Sequence, residues 1–245
     1  MNTFHNKIEL SAYIEALKVK GHLVGFVPTM GALHKGHLSL VNTGLEKNDV
    51  VVVSIFVNPT QFNNNEDLLK YPRTLDEDVA MLATLSNSKI IVYAPSVEDV
   101  YTTKIEAQMF KFDGLEHEME GAFRAGHFDG VGTIVKRLFE IVKPDYAYFG
   151  EKDFQQLQII RKLVALHHLP VKIIGCEIYR ADDGLAMSSR NTRLTTQHRA
   201  ISPFIYKTLK TAKIKFGTKS AQNVTEWVIK QFKNELLLEL EYFII

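Results

Sequence analysis

The chain has 245 residues, 46% hydrophobic and 23% charged, which excludes a disordered polypeptide and allows one large core or a core plus a small domain. Its formal net charge of +1 supplies no chain-wide field for nucleic acid or an anionic membrane, and no run reaches the roughly 18 apolar residues of a membrane span. Cys176 is the single cysteine, which rules out an intrachain disulfide and a zinc site of several thiolates; flanked by Ile174 and Ile178, it reads as a small buried residue. The first residues lack the apolar core of a signal peptide, so a cytoplasmic address is expected.

Ile8, Leu10, Ala12, Ile14, Leu17 and Val19 follow an imperfect helical rhythm, with Ser11 as a candidate cap, and predict a lead-in helix. Residues 23–27 have the length and apolar character of a buried strand, and Leu38, Leu40, Val41 and Leu45 then recur at helical spacing. Between them, Pro28-Thr29-Met30-Gly31-Ala32-Leu33-His34-Lys35-Gly36-His37 is a strand-to-helix turn. Such a turn aims unpaired backbone N–H groups and the positive end of a helix dipole at one spot, which suits a phosphate. The glycine spacing matches a P-loop, but His37-Leu38 stands where that motif needs Lys and then Ser or Thr, and G-x-G-x-x-G is absent. What remains is His34-x-Gly36-His37, whose imidazoles can donate to phosphate oxygens while Gly36 admits a ligand to the backbone; a surface or structural pair is the alternative.

The β-branched run 49–57 predicts a central buried strand, followed by Asn58-Pro59-Thr60-Gln61-Phe62. In an open parallel sheet ligands bind outside the carboxyl ends of strands, so this loop is expected to face the same crevice as His34 and His37. Asn58 and Gln61 suit hydroxyl or carboxylate recognition, or simply punctuate a turn. Thr74 with Glu77 reads as a capping box opening a helix. Residues 89–95 predict a third strand and 101–115 a short hairpin or excursion. Gly121, Gly126 and Gly130 imply backbone close to a ligand or another element, ahead of an amphipathic helix ending near Val142; Arg124 between them either pairs with an anion or is exposed.

Residues 146–149 form a fourth expected strand, and Gly150-Glu151-Lys152-Asp153 a second strand-end turn entering a helix, with Lys152 placed to neutralise a phosphate. A fifth strand is expected over 171–174. The polar loop that follows carries Ser188, Ser189 and Arg190, hydroxyls beside a guanidinium, a phosphate clamp able to close over its ligand. A lysine-rich helix with Ile205, Leu209, Ala212 and Ile214 follows Thr195, a second helix follows Ser220, and residues 238–245 alternate as a strand. Alternating strands and helices predict an α/β fold built on a doubly wound parallel sheet.

H-x-G-H after a strand resembles the nucleotide-binding signature of adenylyl-transferring enzymes, which include class I aminoacyl-tRNA synthetases. P-T-M-G-A-L-H-x-G-H, together with V-N-P-x-Q-F at 57–62, R-x-G-H-F-x-G-V at 124–131, F-G-E-K-D-x-Q-Q-L at 149–157 and D-G-L-A-M-S-S-R-N at 183–191, more specifically resembles the pantoate–β-alanine ligase family. The resemblance implies a Rossmann-like domain over 1–176 and a smaller α+β domain over 177–245, the latter cut short because family members run further. It implies ATP contacts from Met30, Gly31, Ala32, Leu33, His34, Lys35, Gly36 and His37, from Gly150, Glu151, Lys152 and Asp153, and from Tyr179, Met187, Ser188, Ser189 and Arg190. Tyr179 departs from the smaller aliphatic residue that relatives place beside adenine. His34, His37 and Lys152 become the catalytic residues, and Gln61, Gln156, Asn58 and Arg124, with His127 lining or bracing, hold pantoate and β-alanine. Glu77 and Asp78 become candidates to contact the Mg²⁺ that travels with ATP, and a homodimer is implied. A nucleotidyltransferase acting on a phosphorylated substrate, or an ATP sensor without turnover, would use the same H-x-G-H turn.

Overall fold

A computed structural model describes residues 1–101 and 104–245. In chain order the elements are β1 (Asn2–Phe4), α1 (Lys7–Val19), β2 (Val24–Thr29), α2 (Lys35–Lys47), β3 (Val50–Ile55), α3 (Asn65–Lys70), α4 (Leu75–Ala83), β4 (Ile90–Tyr93), α5 (Val97–Val100), α6 (Glu120–Phe123), α7 (His127–Val142), β5 (Tyr146–Gly150), α8 (Phe154–Leu166), β6 (Lys172–Cys176), α9 (Thr196–Ile201), α10 (Pro203–Phe216) and α11 (Ala221–Lys233). They divide into two units, Met1–Ile178 and Tyr179–Ile245, two residues beyond the boundary expected from sequence.

In the first unit six parallel strands form one sheet in the order β1-β4-β3-β2-β5-β6. From β2 the chain steps outward to β3 and β4, and it returns to lay β5 on the other side of β2. The order therefore reverses between β2 and β5, where an open α/β sheet leaves a crevice at the carboxyl ends of its strands. Alternate strand residues serve opposite faces. Val24, Phe26, Val52 and Phe149 join the core made with α1, α7 and α8, whereas Val27, Val51, Val53 and Tyr148 join the core made with α2 and α4. Burial on both faces explains why β3 reads as an unbroken Val run rather than an alternating one.

Several sequence expectations give way to tertiary partners. β1 pairs with β4 at the sheet edge, although Asn2–Phe4 is too short for a periodic signal. The cap of α1 is Asn6, whose side chain accepts the N–H groups of Ile8 and Glu9; Ser11 lies inside the helix and donates to Ile141 O. Thr74 caps no N–H of α4, so the expected capping box does not form; its hydroxyl donates to Asp78 instead. The expected excursion over 101–115 holds no strand among the described residues, and Thr102 and Thr103 lie outside them.

In the second unit α10 and α11 pack over Ala212, Val224, Val228 and Phe232. Thr208 and Ala212, one turn apart and small, form the buried stripe of α10, while Ile205, Leu209 and Ile214 face outward, reversing the face expected from their spacing. Residues 238–245 are irregular, not a strand, so among the described residues this unit is helical with one isolated bridge, Arg180 to Ala186. Alternation gives a segment one apolar face, and Leu238, Leu240 and Phe243 use it against the helices; a strand also needs a paired edge.

Candidate active site

The turn after β2 is held from below. Thr29 Oγ1 donates to Ser54 O at 2.7 Å and accepts the Gly31 N–H at 3.2 Å. Gly31 and Ala32 then both take positive φ, 81° and 49°, a conformation that costs a non-glycine residue on the order of 1 kcal/mol or more. Asp78 compensates: its carboxylate accepts the Ala32 N–H at 2.9 Å and the Leu33 N–H at 2.7 Å, from a side chain only 2% exposed. Burial raises its carboxyl above the usual range, while those two N–H groups and Thr74 pull it back.

His34 caps α2, its Nδ1 accepting the Gly36 N–H at 3.1 Å, which leaves the proton on Nε2 as a donor. The His37 ring stacks on it, centroids 4.0 Å apart, with Nδ1 buried and unpartnered. Burial, then His34 and Lys152, lower His37 to about 3; burial, then Lys152, also lower His34. Both rings are thus neutral near pH 7, and the Lys152 ammonium, carried on the turn after β5, lies near enough to act on each. Lys152 itself is partly exposed and pairs with Asp153 at 3.0 Å. The structure therefore brings the two strand-end turns together across the switch point.

A second group lies on the loop after β3. Asn58 is 1% exposed, and its Nδ2 donates to Gly130 O at 3.3 Å and to Gln61 Oε1 at 3.2 Å. Gln61 Nε2 reaches Met30 Sδ at 3.1 Å, which ties this loop to the histidine turn. Arg124 braces this loop: its Nη2 donates to Gln61 O at 3.4 Å, its Nη1 pairs with Glu120 at 3.5 Å, and His127 Nδ1 donates to the same Gln61 carbonyl at 2.9 Å. Gln156 is half-buried in the first turn of α8. Its neighbour Gln155 is the structural one of the pair, donating to Leu115 O and Glu118 O at 2.7 and 2.6 Å.

Glu77 is exposed at the start of α4, whereas both oxygens of Asp78 are engaged by backbone, which makes Asp78 a support of the turn rather than a free metal ligand. Among the described residues no three carboxylate, imidazole or thiolate groups cluster as a metal cage.

In the second unit, the loop bearing the serine pair is compact. Ala181 N–H donates to Leu185 O at 2.8 Å and Met187 N–H to Tyr179 O at 3.0 Å, around Gly184 at φ 95°. The Arg180 guanidinium stacks 3.6 Å from the Tyr206 ring centroid. Ser188 caps a short 3₁₀ turn, Ser189–Arg193, by accepting the Arg190 N–H at 3.3 Å. Tyr179 is 41% exposed and Arg190 exposed.

Sequence patterns missed Thr29, Asp78 as a clamp, and Tyr101, whose hydroxyl donates to Asn58 Oδ1 at 2.6 Å. Asp78 and Tyr101 act on residues distant in the chain, and Thr29 ties its own turn to Ser54, 25 positions away.

A doubly wound sheet whose switch point carries a dipole-end turn, two neutral imidazoles and an ammonium defines a nucleotide-binding α/β protein of the H-x-G-H kind. The chain belongs to the pantoate-beta-alanine ligase family, whose family model matches residues 2–245. It is 58% identical to the pantothenate synthetase of Flavobacterium psychrophilum over 243 residues, covering 99% of this chain and 86% of that protein. With the pantothenate synthetase of Christiangramia forsetii the identity is 56%, again covering 99% and 86%. Among solved structures, pantothenate synthetase from Thermus thermophilus superposes with a TM-score of 0.89 at 38% identity, covering 99% of this chain and 86% of that one. Pantoate-beta-alanine ligase from Francisella tularensis, complexed with beta-gamma ATP and beta-alanine, gives 0.81 at 37%, covering 94% and 85%.

Proposed function

We infer that this protein is an ATP-dependent ligase that condenses pantoate with β-alanine. The pantoate carboxylate attacks the α-phosphorus of ATP and pyrophosphate leaves; the β-alanine amine then attacks the acyl carbon of the pantoyl adenylate, and AMP leaves with pantothenate formed. The observation that carries the site assignment is the stacked His34–His37 pair at the N-terminus of α2, ring centroids 4.0 Å apart and within electrostatic reach of Lys152 from the turn after β5.

A carboxylate is a poor nucleophile toward an anion, so the site must align the reactants and spread the charge that builds on the departing pyrophosphate. His34 and His37 act as neutral N–H donors to phosphate oxygens, and Lys152 acts as a point charge. Backbone from Met30 to Gly36, with Lys35, and from Gly150 to Asp153, including Glu151, cradles ATP. The family resemblance assigns Tyr179, Met187, Ser188, Ser189 and Arg190 of the second unit to ATP as well. Gln61 and Gln156 orient pantoate without adding a competing charge, Asn58 supports Gln61, and Arg124 fixes the Gln61 backbone. No protein nucleophile is needed, since the substrate carboxylate itself forms the covalent adenylate.

The donor set suits a Mg²⁺ that arrives on the triphosphate, for which Glu77 is the one of the two candidate carboxylates not engaged by backbone. Such an ion would neutralise phosphate charge. The family resemblance supports a cytoplasmic homodimer, checked by fractionation and by sedimentation; among the described residues no helix is long and apolar enough to cross a membrane.

The decisive assay is exchange of labelled pyrophosphate into ATP. Exchange that requires pantoate, with AMP release that additionally requires β-alanine, is the expected result. Exchange without pantoate, or ATP binding without exchange, overturns the reading.

A further inference from the structure

The polar groups around Asn58 admit only one arrangement of their amides. Gly130 O, a carbonyl, can only accept, so the Asn58 group 3.3 Å from it is the NH₂ and Oδ1 faces the other way. There Oδ1 receives the Tyr101 hydroxyl at 2.6 Å, and Thr60 Oγ1 sits between the groups, 3.2 Å from Oδ1, 3.1 Å from the Asn58 NH₂ and 3.1 Å from the Tyr101 hydroxyl. The same Asn58 NH₂ donates to Gln61, so the Gln61 atom facing it is Oε1, and the Gln61 NH₂ is left pointing toward Met30. Tyr101 is 4% exposed, and burial raises its phenol, so it stays protonated and a donor. Arg137 pins the ring, its guanidinium 4.8 Å from the ring centroid and its Nη1 donating to Val100 O at 3.1 Å.

We propose that Tyr101 is a positioning residue for the acyl substrate, its hydroxyl setting the Asn58 amide so that Gln61 presents N–H donors, not its carbonyl, to the oxygens of a hydroxy-carboxylate. This rests on the reading of Gln61 as a pantoate ligand. A Gln61 free to turn over would present its carbonyl oxygen to a carboxylate or hydroxyl lone pair and lose the acceptor-selective contact. The relay spans the carboxyl end of β3, the chain after α5 and the first turns of α7, so it also locks the loop that carries Gln61 against the helix.

The test compares Tyr101→Phe, Gln61→Ala and the double variant in the full chain, by KM and kcat for pantoate, ATP and β-alanine. Tyr101→Phe keeps the ring and its stacking on Arg137, and its thermal midpoint is read alongside. The expected result is a rise of roughly five- to tenfold in the pantoate KM, the size of one net hydrogen bond, with the ATP KM within about twofold of the parent. The double variant is expected to be no worse than Gln61→Ala alone, because the hydroxyl acts through Gln61. If Gln61→Ala raises the pantoate KM and Tyr101→Phe does not, the role of Tyr101 is overturned while the reading of Gln61 stands. If Gln61→Ala leaves that KM unchanged, both fall. Equal losses for all three substrates, or additive effects in the double variant, mark a merely structural tyrosine and also overturn the proposal.

Discussion

The His37 ring is half-buried with Nδ1 sealed from solvent, and its neighbours His34 and Lys152 both disfavour a further positive charge. In the proposed mechanism it would serve as a neutral donor fixed in place before ATP arrives, the condition under which a hydrogen bond contributes most to a charge-building step. His37→Ala is expected to slow pantoate-dependent pyrophosphate exchange by ~10²-fold or more, comparable to loss of one oxyanion donor; near-normal exchange would remove His37 from the mechanism. The same burial has a consequence for stability. The unfolded chain takes up this proton near pH 6.5 and the folded chain only near 3, so the folded state binds fewer protons between those values and stability falls as pH drops through that window. His34 and His127 are shifted in the same direction. The urea midpoint is therefore expected to fall less between about pH 7 and about pH 5 in His37→Asn than in the parent. Equal falls in the two proteins would show that His37 titrates normally in the fold. Asp78 makes the opposite kind of contribution, a buried anion spent on two backbone donors. Asp78→Ala removes the carboxylate that accepts both N–H groups, a loss on the order of 1–3 kcal/mol, and lets Ala32 relax from its left-handed conformation. A clear loss in urea-unfolding free energy with an unchanged Mg²⁺ dependence of the residual activity is expected; a shifted Mg²⁺ dependence with normal stability would return Asp78 to the metal.

At the scale of elements, α7 shows how closely the site loop is built onto the fold. A Cβ at Gly130 would sit 2.2 Å from Thr60 O, a backbone atom that cannot swing away. Gly130→Ala would ordinarily gain about 1 kcal/mol of helix propensity, but here the overlap wins and the variant is expected to lose about 1–3 kcal/mol by urea unfolding, with a raised pantoate KM. A gain in stability would mean that the loop is not fixed by this contact. The same contact separates what the sequence discloses from what it withholds. β2, β3, β4 and β5 were legible because burial on two faces demands apolar runs, and the histidine and lysine turns because each follows such a run directly. β1 was illegible because three residues hold no period, and its partner β4 lies far along the chain. Ser11 and the Thr74-Glu77 pair had the right chemistry for caps, yet Asn6 caps α1 and the Thr74 hydroxyl donates to Asp78, which itself holds the turn after β2. Asp78 and Tyr101 escaped as supports because their partners, Ala32 and Asn58, are 46 and 43 positions away. The stretch 238–245 has the alternation of a strand and satisfies it by packing its apolar side on α10 and α11.

At the scale of the molecule, the two units differ in what they can hold alone. Met1–Ile178 contains the complete sheet and both of its cores, including buried aromatic rings at Phe26, Tyr93, Phe112 and Tyr148. Tyr179–Ile245 has a core of Ala212, Val224, Val228 and Phe232 beneath several partly covered side chains, and a chain this short buries too small a fraction of its surface for much stability of its own. Residues 1–178 expressed alone are therefore expected to unfold cooperatively on heating, and residues 179–245 alone to melt broadly or not at all. The separation also isolates the chemistry. His34, His37, Lys152, Gln61 and Gln156 all belong to the first unit, whereas Ser188, Ser189 and Arg190 belong to the second. If the hydroxyls and guanidinium of the second unit stabilise charge on the leaving pyrophosphate, the first unit alone retains ATP binding while pantoate-dependent exchange falls by ~10²-fold or more, since several charge-stabilising donors are removed at once. Exchange at the parental rate from residues 1–178 would instead confine adenylate formation to the sheet and its two turns, and would leave the serine-arginine loop without a part in the first half-reaction.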